Sequence, residues 1–249
     1  MLDPDAEAFL TATGITDETI TSAIDGLVVD LKAAGIWTKM NAIYPYVGGT
    51  ATTHKYNLKD PQDLDSAFRI GWVGTITHNS NGVTGDGTTG YGTTWLNASS
   101  ELGGGLNDVS GFTYSRTNAL DDVDFGAYDG NGFQINPRNP SGQLANRCNT
   151  ATLNTPANSN SAALIGISRL GSASYNLNIN KSHSTVANAS TSAPNRDIFL
   201  LALNNAGTAA AHSARNIALQ CFGYGLTTGE IDNLVDANEA FQTTLGRFV

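Results

Sequence analysis

Asp122 and Asp124 stand two residues apart in LDDVDFGAY (120–128), a spacing that puts two carboxylates on one face of an extended segment. Paired carboxylates that flank one bond, ~5 Å or ~6.5–9.5 Å apart, hydrolyse glycosides. A solvated strand edge accounts for this pair equally well, and the five glutamates (Glu7, Glu18, Glu101, Glu230, Glu239) fall in helical stretches or, for Glu101, a loop. Asp122, Asp124 and Asp129, with the turn DGNG (129–132), also make an oxygen-rich stretch of the kind that suits Ca²⁺. Their spacing fits no calcium loop, and Asp-Gly-Asn-Gly is equally an ordinary tight turn. No other cofactor is implied. Trp95, Tyr91 and Tyr128 lie beside polar loops, where aromatic rings either stack on sugars or close the ends of a core.

Other motifs are excluded by context. GDGTTG (85–90) matches GxGxxG, but a dinucleotide loop must follow an apolar strand and open a helix, and YGTTWLN is strand-like. VGGTATTHK (47–55) lacks the glycine before Lys55 that a phosphate loop needs. The four histidines are scattered and there is no CxxC, so no zinc site is expected. Cys221 sits in a strand-like run, and Cys148 reads as loop-borne, with the pairing of the two left open. A net charge of −9 without any basic cluster argues against nucleic acid. No apolar run reaches the ~20 residues that span a bilayer. MLDPDAEAFL has neither a basic start nor an apolar run, so the expectation is a chain made in a cytosol.

Only 14% of the residues are charged, and the chain is rich in Gly, Asn, Ser and Thr, which favour turns and strands. Two long helices are nonetheless marked. In GITDETI (14–20) and GLTTGEI (225–231) a threonine, Thr16 or Thr227, takes the N-cap position between apolar residues, and Glu230 completes a capping box. Ile20, Ile24, Leu27, Val28 and Leu31 form one stripe, and Ile231, Leu234, Val235, Phe241 and Leu245 another. A shorter helix precedes, near 4–12. Between them the apolar period falls to two, in 67–73, 111–117, 123–128, 132–136, 174–180 and 216–222. Runs 163–169 and 198–204 are more continuously apolar. Tracts 78–94, 137–161 and 181–195 read as surface loops. The expected fold is mainly β: an antiparallel β-sandwich of jelly-roll type with N-terminal helices and a C-terminal helix.

GITDETITSAIDGLVVDLKAAGIWTKMNAIYPYVGGTATTHKYNLKDPQDLDSAFRI (14–70) resembles the N-terminal segment of a group of tailed-bacteriophage virion proteins. ALQCFGYGLTTGEIDNLVDANEAFQTTLGRFV (218–249) is similar to the way they end, an ending shared by concanavalin A-like (laminin G-like) jelly rolls. The resemblance implies a virion structural component, in a tail, fibre or capsid appendage, with no catalysis and so no enzyme. Its partners would be other virion proteins and further copies of itself, a trimer by analogy with fibres. It would be made in the host cytoplasm and located in the virion. A second reading is an adhesin that binds host surface polysaccharide, and a third, given least weight, a depolymerase. The division expected is a helical packing or anchoring arm, 1–36, and a sandwich, 37–249, closed by the helix 227–245. Trp37, Tyr44 and Tyr46 would form the joint between helix and sheet, with strands at 43–47 and 53–58; Pro45 marks the first as an edge.

Overall fold

Thr227 Oγ1 accepts the amide of Glu230 (3.3 Å), and Glu230 Oε2 accepts the amide of Thr227 (2.9 Å). This reciprocal cap opens helix α4 (Thr228–Thr244), as the sequence predicts. Helix α2 (Glu18–Ala33) starts one residue later than expected: its cap is Asp17, not Thr16, with Oδ1 accepting from Ile20 N (2.9 Å). A carboxylate at that position also meets the positive end of the helix dipole. Helix α1 (Pro4–Thr13) precedes them, and a one-turn helix α3 (Ala51–His54) stands where a strand was expected. There Thr50 and Thr53 cap one another, a local bond that turns the chain out of the extended state. No helix is long and apolar enough to cross a membrane.

The computed structural model describes residues 1–249. It shows two sheets of eight strands each. The first contains β1 (Met40–Tyr44), β3 (Ile76–Asn79), β4 (Gly82–Gly85), β6 (Val109–Ser115), β10 (Ala163–Arg169), β11 (Tyr175–Ile179), β12 (Ser182–Val186) and β16 (Asn216–Gly223). Its order is β12-β11-β10-β6-β16-β4-β3, with β1 also paired to β16. The second contains β2 (Gly71–Val73), β5 (Tyr91–Asn97), β7 (Phe125–Tyr128), β8 (Gly132–Asn136), β9 (Ala145–Thr150), β13 (Asp197–Leu200), β14 (Leu203–Asn205) and β15 (Thr208–Ala210). Its path is β15-β14-β7-β13-β5-β2, with β8 and β9 extending from β7, and every pairing but β14–β7 is antiparallel. Strands β3, β4, β9 and β12 occupy tracts expected as loops. Their side chains are mostly polar, so no apolar alternation announces them. Cys148 is accordingly buried in β9, and Cys221 in β16; both thiols are free and burial pushes each up to about 12.

The first sheet is covered on both faces. Ile165, Ile167, Ile217 and Phe222 point between the sheets, against Phe125, Phe133 and Ile198. Phe112, Tyr114, Leu164, Leu219 and Cys221 point the other way, into a core shared with Ile24, Leu27, Leu31, Ile231, Leu234 and Phe241 of the helices. The layers are therefore helices, first sheet, second sheet, and the sheets approach so closely that a Cβ on Gly111 would lie 2.9 Å from the Phe133 ring. Trp37 packs on the helical side, with Lys59 Nζ 3.9 Å from its ring centroid. Tyr44 and Tyr46 lie on the other side, between the sheets, donating to Phe68 O and Gln220 Oε1 (each 2.6 Å).

Removal of residues 1–36 would strip α1 and α2 from Phe112, Leu164 and Leu219. The expected outcome is loss of cooperative thermal unfolding, followed by circular dichroism, with dye binding at the bared face. A cooperative transition retained by the shortened chain would instead show a separable arm.

Candidate binding groove on the outer sheet face

None of the three long helices packs on the second sheet. Along β5, Gly92, Thr94 and Leu96 are buried, while Tyr91, Thr93, Trp95 and Asn97 face outward. This outward row, together with Gly71 of β2, Asp197 and Phe199 of β13, Asn204 of β14 and the preceding Asn195 and Arg196, lines a groove of about 700 Å³. That volume lies inside the ~300–1,000 Å³ range of small-ligand sites.

Trp95 is set into this groove at a backbone cost. Between the pairs Asn97↔Asp197 and Thr93↔Phe199, β5 carries Thr94, Trp95 and Leu96 where β13 carries only Ile198. The bulge places Trp95 at φ +59°, a left-handed conformation that costs a bulky residue ~1–3 kcal/mol. Its side chain remains 40% exposed. Bulges re-aim side chains. Here the indole leans back across β2, where a Cβ on Gly71 would lie 3.7 Å from Trp95 Nε1 and 3.0 Å from Thr93 Cγ2. The missing side chain at residue 71 leaves room for the indole and the Thr93 methyl to lie against β2. Further along, Tyr91 stacks on Phe199 with centroids 4.8 Å apart.

The opposite end of the groove is polar. Asn97 Nδ2 donates to Asn195 Oδ1 (3.1 Å), and Asn195 N donates to Asp129 Oδ2 (2.8 Å). Asp197 commits its backbone carbonyl to Asn204 Nδ2 (2.9 Å), and Arg196 commits its own to Ala98 N (3.0 Å). Arg196 Nε is buried without a protein partner.

Beneath β2 lies a pair of rings that the sequence did not connect. His54 Nε2 accepts from Gly49 N (3.2 Å), which leaves the ring proton on Nδ1, 3.1 Å from His78 Nδ1. Trp72 of β2 meets the His78 ring edge-on at 4.9 Å and donates to Ala51 O (3.2 Å). Burial, with smaller contributions from His78 and Arg247, holds His54 down to about 3.

Of the residues singled out in the sequence, Tyr91 and Trp95 come together in the groove. Tyr128 stays outside it, its ring covered by the Arg147 guanidinium at 4.8 Å. Asp122, Asp124 and Asp129 do not converge, and no three His, Cys, Asp or Glu side chains are grouped to share an ion. Asp124 is fully buried and bonded to Arg215 Nη1 (2.8 Å) and Ser213 Oγ (3.0 Å), which removes it from any surface chemistry. Burial pushes its carboxyl up against the pull of Arg215. Gly71, Asn195, Arg196 and Asp197 were not foreseen, since they reach the groove only through pairing of distant strands.

The chain matches no described protein family and no curated protein. Its fold has solved counterparts. A mutant of Trypanosoma rangeli sialidase displaying trans-sialidase activity aligns with a TM-score of 0.55 at 8% identity, over 89% of this chain and 39% of that one. T. rangeli sialidase in complex with 2,3-difluorosialic acid, a covalent intermediate, gives 0.52 at 8% identity, over the same shares. Domain 4 of AbnA, a GH43 extracellular arabinanase from Geobacillus stearothermophilus in complex with arabinotriose, gives 0.47 at 14% identity, over 79% and 98%, too distant to carry an argument. At these identities the likeness establishes a sandwich fold, and this chain spans 39% of the sialidase's length.

The expectation that the chain is not an enzyme is overturned by these counterparts, which belong to a glycoside hydrolase.

Neutral His54 gives stability a definite pH dependence. An unfolded histidine binds a proton below ~6.5, whereas buried His54 does so only near 3. The unfolded state therefore holds more protons in that window, and stability falls as pH drops from ~6.5 toward 3. Urea midpoints at pH 7 and pH 5 should fall more in the parent chain than in His54→Gln, where this site no longer titrates.

Proposed function

We propose that the groove along β5 binds a glycan. The observation that carries this reading is Trp95: an exposed indole held in a left-handed backbone conformation and seated against Gly71 of β2. Strain of this kind concentrates at ligand sites. The apolar face of a sugar ring suits an indole, and its hydroxyls can donate to the Asp197 carboxylate and accept from Arg196. The solved sialidases that share the fold are carbohydrate-active proteins, which supports the same reading.

The groove lining also includes a tyrosine (Tyr91) and a carboxylate (Asp197), but they stand at opposite ends of it, Asp197 facing Asn97 in the register. Binding is the reading favoured, because Tyr91 is engaged in its stack with Phe199. Trp95→Gly separates ligand contact from fold. It relieves the left-handed strain, so the melting temperature should hold or rise. Removing the anchoring aromatic should weaken glycan-array binding by about 30-fold, the ~2 kcal/mol of a buried aromatic hot spot. Unchanged binding would displace the site from this groove. Reducing sugar released by the parent chain and lost in Asp197→Asn would convert the site into a hydrolytic one.

The virion setting rests on the sequence resemblance of 14–70 and 218–249. There the groove would meet host surface polysaccharide, and copies of the chain would assemble with other virion proteins. Light scattering of the purified chain should report an oligomer, with three copies expected. A monomer at all accessible concentrations would count against the self-assembling fibre.

A further inference from the structure

The groove is long, and its contact groups are spread along it in three stations. At one end stand Asn97, Asn195, Arg196 and Asp197; in the middle the Trp95 indole lies over Gly71 and Thr93; at the other end Tyr91 stacks on Phe199. Asn97 faces Asp197 in the register, whereas Thr93 faces Phe199, so the polar and aromatic ends are separate places on the sheet. Measured by the β13 register, Asn97 and Thr93 lie only two residues apart and Tyr91 two further on, so the stations span ~13 Å at ~3.3 Å per residue. One sugar ring cannot touch all three stations. The ionisable groups are balanced as well. Arg196 and Asp197 are the only residues of the lining that carry formal charge, one of each sign, in a chain of net charge −9. A polyanion would gain nothing there and would be repelled by the whole molecule.

We infer that the ligand is an internal run of a neutral, linear polysaccharide, roughly two to three sugar units long at this span, rather than a single terminal sugar. This rests on the glycan reading above and assigns its substrate class. Each station contacts a different ring of the chain: the polar end fixes the hydroxyls of one, the indole carries the next, and Tyr91 meets the last. The contribution of each station appears only when the ligand is long enough to reach it.

Calorimetric titration of the unaltered chain tests this without any variant. The probes are neutral linear gluco-, xylo-, manno-, galacto- and arabino-oligosaccharides of one to six units, with polygalacturonate oligomers as the charged comparison. At least one neutral series should gain tenfold or more in affinity between one and three units and then level off, while the polygalacturonates bind no better than a monosaccharide. A monosaccharide that binds as tightly as its trimer, or a charged series that binds most tightly, would overturn the length and charge assignment and leave glycan binding intact. Absence of binding by every sugar would overturn both.

Discussion

A guanidinium can be buried without a carboxylate only if all five of its N–H groups find oxygen, and Arg247 meets that condition. Its Nε donates to Gln242 Oε1 (2.6 Å), Nη1 to the carbonyls of Tyr46 (2.8 Å) and Ser80 (3.3 Å), and Nη2 to those of Pro45 (2.7 Å) and Ala218 (2.9 Å). One side chain thus ties the segment after α4 to the turn after β1, the β3–β4 turn and β16. Arg169 does the same elsewhere, donating to carbonyls of Cys148, Gly171, Ser172, Ser174 and Asn188. Arg215 is the third, and the only one of them with an acidic partner, Asp124. In a chain with long polar connections these groups supply acceptor-hungry centres around which loops close. They explain how a sandwich with so few apolar residues in its connections keeps a fixed rim.

Much of the architecture is legible in the residues, because apolar periodicity and caps are local signals. Thr227 with Glu230, the stripe of α2 and the alternation in 111–117 and 132–136 all translate directly into elements. Polar strands do not announce themselves. Ser182–Val186 and Ala145–Thr150 become strands through pairing with β11 and β8, and that pairing is set by the rest of the sheet rather than by their own side chains. The Thr50–Thr53 cap was missed for the opposite reason: a short hydrogen-bonded turn outweighs the β preference of threonine.

The groove was half legible. Tyr91 and Trp95 share a strand face at i and i+4, which alternation alone predicts. The bulge that lifts Trp95 depends on the mismatch between β5 and β13, and no count of residues in β5 reveals it. Asp197 and Arg196 arrive from a hundred residues away. Of the aspartates that looked chemical, Asp124 is removed because a carboxylate in the interior is a structural partner: it is consumed by Arg215, and its fully buried position takes it away from any ligand.

The layering also gives the molecule a direction. Sheet faces pack ~10 Å apart, so the groove and the helical layer lie on opposite sides, separated by two such spacings. All three long helices cover the first sheet, and none intrudes on the second. Anything that grips the chain through its helices leaves the Trp95 face pointing outward and unobstructed. A row of such chains held side by side by the helical layer would expose a continuous field of grooves, so that weak single contacts with a repeating chain could add up to firm attachment.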